Sequence, residues 1–512
     1  MDIVTIGGSI AALACACALA EQGHRVTIIE RAPAPPTGAP KDLWDWDRPT
    51  VPQARQSHAF ASAGCAVIRE RFPDTLTAMY AVGVREIGLA EPPPPSLQPF
   101  RGDASDAELT MLLSRRNILE WALHRDAASR SAVVHRYDTK VGGLQLDGNR
   151  VTGVVLDDGE VVTADLVIDA AGRRSPVGTW LAEKGIAVPE EESESSGITY
   201  YTRHYRRVSD RLGGPLNRGF GAGGVWDSYT AVLFLGDGDA FTISLGVSPG
   251  DEVFKGLRDA DAFTALVAAT PLLAGWLDKA VSVPASDVFA MGGLANSWTP
   301  IADDGAGQVS GLLRVGDSQC TTNPAYGRGV SLALTHAAAL ADRLAGVEEI
   351  GEALFAELVS AAAEHYRPWY DEARANDAAR IGMWSAAAAG RPAGPPVGGP
   401  PAGGPPSGGR PAGPTASGPR VGGPPGGPPP GGPNTAAPLS FGLLAAVAGS
   451  DEVVWRRLAR TMMMLDAPGP LYNDPEIKTR VGLRMAAGGK PPVTGLSRAE
   501  AIAVVSGLPA VA

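Results

Sequence analysis

Between a run of β-branched residues and an alanine-rich stretch, the chain places Gly7, Gly8 and Ser9 in "DIVTIGGSIAALACACALAEQGHRVTIIER", residues 2–31. A tight turn from strand into helix gathers backbone N–H groups and the positive end of a helix dipole at one point, which suits the pyrophosphate of a dinucleotide. The positions that usually carry three glycines hold Gly7, Ser9 and Ala12. Ser9 is small enough for close approach and adds a hydroxyl, and Ala12 adds one methyl where helix meets strand. Glu30, closing the second strand, stands where a carboxylate accepts from ribose hydroxyls and repels a 2′-phosphate, favouring FAD or NAD over NADP. Ala11 and Arg31 flank these positions and join the candidate cofactor contacts.

Much further on, "RVGDSQCTTNPAYGRGVSLALTHAAALADRL", residues 314–344, puts an acid after a strand and then a Pro/Gly loop that opens a helix. Asp317 has the chemistry to bind a ribityl chain. Gly327, Arg328 and Gly329 expose backbone N–H groups suited to the electron-rich pyrimidine edge of a flavin. Either motif alone reads as an ordinary turn, and together they point to one redox cofactor.

These groups need elements to hold them. Residues 2–6 read as a strand, 9–22 as a helix ended by Gly23, and "VTIIE" as a buried strand, forming one βαβ unit. In "SRRNILEWALHRDA", residues 114–127, Ile118, Leu119, Trp121 and Ala122 recur at helical spacing. Residues 150–172 read as a hairpin across "DDG" followed by another buried strand, and 197–248 as a separate antiparallel sheet with "DGD" at a hairpin turn. Within "GITYYTRHY", Tyr201 and Tyr205 share one face of a strand, Tyr200 and His204 the other, and one pair is expected to line a substrate pocket, with Tyr201 a candidate catalytic group. Trp226 and Phe234 are further pocket candidates. Beyond residue 345 the pattern is mostly helical, apart from a Pro/Gly-rich stretch at 390–437 expected to be a disordered tether.

Composition narrows the function. A net charge of −11 leaves no basic surplus for nucleic acid. Cys15, Cys17, Cys65 and Cys320 show no paired metal or disulfide spacing. The longest apolar run, around residues 9–20, is too short to span a bilayer and has no basic segment before it, so a soluble cytoplasmic protein without a membrane partner is expected.

With "IGGSIAALACACALAEQGHRVTIIER", "VPQARQSHAF", "DLVIDAAGRRSPVGTWLAEKG" and "VGDSQCTTNPAYGRGVSLA" in that order, the sequence resembles the FAD-dependent aromatic-hydroxylase and epoxidase superfamily, with its para-hydroxybenzoate-hydroxylase-like fold. The second and third stretches look most like bacterial FAD epoxidases and monooxygenases of natural-product biosynthesis. The resemblance implies an α/β fold: a discontinuous Rossmann-like FAD-binding domain (1–75, 105–175, 290–345) and an antiparallel-sheet substrate domain (76–104, 176–289). A C-terminal helical region (346–389, 438–512) would complete it. It implies FAD contacts at Gly7, Gly8 and Ser9 for the pyrophosphate, Glu30 for the ribose, and Asp317 for the ribityl chain. Arg116 would reach the phosphates or ribityl, and Pro324, Gly327 and Gly329 would lie beside the isoalloxazine ring. Gln53, Arg55 and His58 match a loop near cofactor and substrate, with Arg55 its expected FAD contact and His58 structural or, alternatively, a catalytic base.

The implied activity is a monooxygenase that inserts one atom of O2 into a hydrophobic small molecule, by epoxidation or hydroxylation, through a flavin hydroperoxide. Many relatives carry an Asp-Gly pair in the middle motif that also serves NAD(P)H. Here Ala171 precedes Gly172, which leaves electrons to come from a separate flavin reductase or from NAD(P)H bound in another way. Two alternatives stay open: a reductase or dehydrogenase of the prenyl-chain saturase type, and a non-enzymatic nucleotide-binding protein. A halogenase is less favoured, because neither the tryptophan motif nor the catalytic lysine near the first glycine loop is found.

Overall fold

The computed structural model describes residues 1–41, 45–216, 221–300, 309–391, 439–487 and 495–507. Nearly all of the expected Pro/Gly tether at 390–437 lies outside the described residues.

The β-branched runs form the expected strands, Asp2–Ile6 and Arg25–Ile29, joined by the helix Ile10–Glu21. They sit inside a five-stranded sheet in the order Leu312–Arg314, Leu166–Asp169, Asp2–Ile6, Arg25–Ile29, Val133–Arg136. Every pair in it is parallel. Helix Ile10–Glu21 is buried from Ala12 to Leu19 without a break, because it is covered by the sheet and by helices Arg116–Ser129 and Gly329–Arg343. Alanine and cysteine on all sides let three neighbours approach at once. Leu13 and Leu19, both fully buried, each contribute about 2 kcal/mol by leaving water. The hairpin expected across "DDG" forms between Arg150–Leu156 and Val161–Thr163, and Val141–Asp147 extends it to three strands.

A second, antiparallel sheet has the order Gly221–Val225, Tyr229–Leu235, Ala240–Val247, Thr199–Arg207, Ser282–Met291. Sequence reading found the middle of this sheet and missed its last strand. Ser282–Met291 is an edge, mostly uncovered, and it carries Pro284, which only an edge tolerates without losing a ladder bond. One face of the sheet packs Tyr201, Tyr205, Phe241, Ile243 and Leu245 against Trp276 and the helix Ala260–Ala269. Its other face meets the loop that carries Gln56 and Ser57. The start of helix Arg116–Ser129 is tied to the turn between Tyr229–Leu235 and Ala240–Val247 by a bidentate ion pair from Arg115 to Asp237, whose Nη2–Oδ2 separation is 2.7 Å.

A 37-residue helix, Glu352–Ala388, crosses the back of the molecule. Helices Phe441–Ala448, Glu452–Met462, Pro468–Asn473 and Pro475–Ala486 gather round a core that includes Leu444, Val454, Leu471 and Ile477. The last helix, Arg498–Ser506, was expected among these and instead packs Ala501 and Val505 beneath the antiparallel sheet. Among the described residues no helix is long and apolar enough to cross a membrane.

Candidate functional site

The first glycine turn is dictated by backbone geometry. Gly7 has φ +99°, and a Cβ there would lie 2.7 Å from the Ala170 carbonyl oxygen of the adjacent strand end. No other residue fits without moving the sheet. The Gly8 N–H donates to Glu30 Oε2 at 2.7 Å, and the Ala32 N–H donates to Oε1 at 2.8 Å. Glu30 thus braces the turn, and each oxygen keeps a lone pair for a ribose hydroxyl. Ser9 begins helix Ile10–Glu21 without capping it, so the first-turn N–H groups have no side-chain acceptor. Its hydroxyl instead accepts from Arg116 Nη2 at 2.9 Å.

Behind this turn lies a buried charge cluster. Arg116 Nη1 and Arg48 Nη2 pair with the two oxygens of Glu120, at 3.2 and 2.9 Å. Burial pushes Glu120 up, but Arg116 and Arg48 together outweigh it and hold its carboxyl below the usual range. Two guanidinium groups on one carboxylate leave a net positive charge next to Ser9, which suits a diphosphate. Arg48, 6% exposed, was not singled out on sequence, where it is one arginine in a polar loop.

The second motif arrives at the same place. Gly316, at φ +68°, leaves only 3.0 Å between the Cβ it lacks and Ala11 Cβ on the first helix. Asp317 follows at once, and Gln53 Nε2 approaches its Oδ2 at 3.5 Å. Helix Gly329–Arg343 starts beside it, again with no side-chain cap. Gly329 has Asp317 Oδ1 as its nearest contact, 3.6 Å from where a Cβ would be. Asp317 and His58 are both only partly covered, yet desolvation dominates each. It raises the Asp317 carboxyl against the pull of Arg116 and Arg173, and lowers the His58 imidazole to about 3. Gln53, Arg116 and Gly329 thus converge on Asp317 in a concavity between the two motifs. Arg173, from "DAAGRRS", faces the same acid and also escaped sequence reading.

The third wall is the inner face of the antiparallel sheet. Tyr200, Thr202 and His204 share it, with Thr242 and Ser244 on the next strand. Thr202 Oγ1 donates to Gln56 Oε1 at 2.6 Å, Ser57 Oγ donates to Thr242 Oγ1 at 2.7 Å, and His204 Nε2 meets the Arg55 carbonyl at 3.1 Å. The loop Gln53–His58 is therefore pinned between sheet and cofactor motifs. His58 Nδ1 bonds the Gln56 carbonyl at 3.0 Å, which leaves Nε2 of the neutral ring as an acceptor.

Several candidates stand elsewhere. Tyr201, proposed on sequence as a catalytic group, is 3% exposed in the core on the far face of the sheet with Tyr205. The inner pair is Tyr200 and His204, because the apolar cover of helix Ala260–Ala269 claims the other face. Arg328 turns its side chain away from the glycines and into a buried ion pair with Glu372, between the rings of Tyr326 and Trp369. Arg55 pairs with Asp47 at 2.7 Å and lies over the Phe289 ring, and Arg31 is exposed. Trp226, just after edge strand Gly221–Val225, packs on Tyr229 with the ring planes tilted by 33°. Phe234 joins Met462, Met464 and Ala59 in an apolar cluster, and Ala59 Cβ is 3.7 Å from the position a Gly327 Cβ would take. Pro324 opens the short turn that precedes Gly327.

Residues 5–39 match the NAD(P)-binding Rossmann-like domain. Protein Rv3254 of Mycobacterium tuberculosis is 29% identical over 357 residues, 64% of this chain and 70% of its own. The structure of PqsL, a probable FAD-dependent monooxygenase from Pseudomonas aeruginosa, superposes with a TM-score of 0.51 at 16% identity, covering 75% of this chain and 98% of that one. That of the flavin-dependent brominase Bmp2 gives 0.51 at 17%, covering 75% and 90%. The chain has the fold of the flavin-dependent monooxygenases and halogenases. In this flavoprotein fold the residues gathered above could hold FAD: Gly7 to Ser9 and Arg116 at the diphosphate, Glu30 at the ribose, Asp317 at the ribityl chain, and the Gly327–Gly329 turn at the ring.

Proposed function

We propose that this chain is an FAD-dependent monooxygenase that inserts one oxygen atom, by epoxidation or hydroxylation, into a hydrophobic small molecule, a natural-product intermediate. One observation carries the reading. Two helix N-termini, distant in sequence and both without side-chain caps, are brought together with a ribose acid, a ribityl acid and a diphosphate-binding cation pair, Ala11 Cβ lying 3.0 Å from where a Gly316 Cβ would be and Asp317 Oδ1 3.6 Å from where a Gly329 Cβ would be.

When bound, reduced FAD supplies the electrons and the centre that activates dioxygen. The protein's own groups bind, aim and exclude water. N–H groups at the start of helix Gly329–Arg343 stabilise negative charge without reorganising. His58, neutral at physiological pH by its depressed titration, offers Nε2 as an acceptor to a polar group on the substrate. The sheet-bound loop Gln53–His58 seals one side against water. Ala59, Phe234, Met462 and Met464 give the neighbouring wall its apolar character, which favours a neutral, hydrophobic substrate. Electrons come from a separate flavin reductase or from NAD(P)H.

The test is direct. Purified protein is expected to be yellow with bound FAD, to consume oxygen with reduced flavin and a hydrophobic natural-product scaffold, and to give a product carrying one atom from labelled dioxygen. Protein that binds no flavin refutes the reading. Flavin-bound protein that saturates a substrate without consuming oxygen assigns a reductase instead.

A further inference from the structure

Behind the Pro/Gly loop lies a buried polar junction that the chemistry above does not use. Asp377, on helix Glu352–Ala388 and 2% exposed, accepts four hydrogen bonds. Its Oδ1 takes Asn323 Nδ2 at 2.7 Å, Arg380 Nη2 at 2.9 Å and the Tyr326 hydroxyl at 3.0 Å, and its Oδ2 takes Asn296 Nδ2 at 2.8 Å. Asn323 and Asn296 are both fully buried. Asn323 Oδ1 accepts from the Tyr200 hydroxyl at 2.8 Å and from the Ala325 N–H at 3.0 Å, and its own N–H donates to Asn296 Oδ1 at 2.7 Å. Arg380 reaches on to the carbonyls of Ser196 and Gly197. A carboxylate so saturated has one stable arrangement, and Asn323 and Tyr326, at either end of the turn that precedes Gly327, are part of it. The same helix holds the loop a second time, through Glu372 and Arg328.

We propose that Asp377 is a positioning residue for cofactor binding: through Asn323 and Tyr326 it fixes the 323–329 loop in the conformation that receives the isoalloxazine ring. This rests on the flavin reading above. The long helix is then a clamp on the cofactor loop, and the loop cannot relax unless two donors at Asp377 lose their acceptor. In Asp377→Asn, an amide NH2 replaces one acceptor oxygen and faces other N–H donors, so the junction must rearrange and the loop with it.

The experiment measures FAD affinity by flavin-fluorescence titration of the full-length protein, with FAD itself as the probe, alongside far-UV circular dichroism and thermal midpoint. Asp377→Asn is expected to weaken FAD about tenfold, and Tyr326→Phe, which removes one donor only, about threefold. Asp126→Asn is the comparison. Asp126 is also a buried helical carboxylate, bonded to Thr75 and Arg130 away from the concavity, and its variant is expected to lose thermal stability while holding FAD within about twofold. Folded Asp377→Asn protein with FAD affinity within about twofold of the parent overturns the proposal, as does an equal loss in Asp126→Asn. Should Asp377→Asn fail to fold, unchanged affinity in Tyr326→Phe overturns it alone. Parent protein that binds no FAD refutes the function reading instead.

Discussion

Gly329→Ala separates what the fold requires from what a ligand requires. Gly329 is the first residue of helix Gly329–Arg343, its φ is outside the left-handed region, and beyond its own chain neighbours and helix backbone the nearest heavy atom to a new Cβ among the described residues is Asp317 Oδ1 at 3.6 Å. The protein therefore accommodates alanine without strain. Alanine also lowers the conformational entropy of the unfolded chain, so stability should rise by about 0.5–1 kcal/mol, a thermal shift of about 1–3 °C. The methyl projects into the concavity beside Asp317, where a flavin edge must come within van der Waals distance of backbone. Intrusion of one methyl into a packed contact costs about 1–3 kcal/mol, about tenfold or more in FAD affinity. Calorimetry of the apoprotein and fluorescence titration with FAD measure the two effects separately. At Gly7 the outcomes merge. There a Cβ meets the Ala170 backbone at 2.7 Å with φ at +99°, so Gly7→Ala should destabilise by about 3 kcal/mol and lose FAD together with the fold. If Gly329→Ala binds FAD as tightly as the parent, the ring does not approach this turn and the assignment of the concavity is wrong.

Arg116→Lys keeps the charge and loses the fork that joins Ser9 to Glu120; FAD affinity should fall about tenfold, with about 1–3 kcal/mol of stability lost because Glu120 retains only Arg48. Unaltered binding in that variant would remove Arg116 from the diphosphate site. Tyr201→Phe should leave turnover within about twofold, since the ring sits on the far face of the sheet, and a large drop in kcat would put that face back in play. Burial holds His58, His124 and His336 at about 3, about 4 and about 3. Their unfolded forms titrate near 6.5 and take up protons first, so stability is full above pH about 6.5 and is lost as pH falls toward 3–4, by about 1–2 kcal/mol per group at pH 5. The urea midpoint should drop between pH 7 and 5, less steeply in His336→Gln; a flat profile would mean that these rings are not held neutral.

What could be read from the sequence was whatever backbone geometry forces on residue type. Gly7 and Gly316 are visible because a positive φ and a close neighbouring atom leave glycine alone, and the two motifs they mark carry the cofactor reading unaided. Strands buried on both faces were visible as apolar runs. The period-two pattern of "TYYTRHY" correctly paired Tyr200 with His204 and Tyr201 with Tyr205, but nothing local says which pair faces the cofactor. That is decided by helix Ala260–Ala269, which covers one face with Phe263, Leu266 and Val267. Edge strand Ser282–Met291 was invisible for the opposite reason: it buries little, so its pattern is weak.

Arg48, Arg173 and Asp377 mark a different limit. Each acts on a group brought close only by the fold: Glu120 on helix Arg116–Ser129, Asp317 after the strand Leu312–Arg314, Asn323 in the turn before Gly327. Charged residues on helices and loops are usually solvated, so no residue type distinguishes these in advance. Burial does. A carboxylate or guanidinium that is almost wholly covered has given up its hydration and must find partners, and here those partners are the residues that shape the two cofactor motifs. The glycines make close approach possible, and the distant buried charges keep the approaching surfaces still. Variants at the glycines should therefore act on ligand contact, and variants at Arg48 or Asp377 on how often the contact surface is correctly formed.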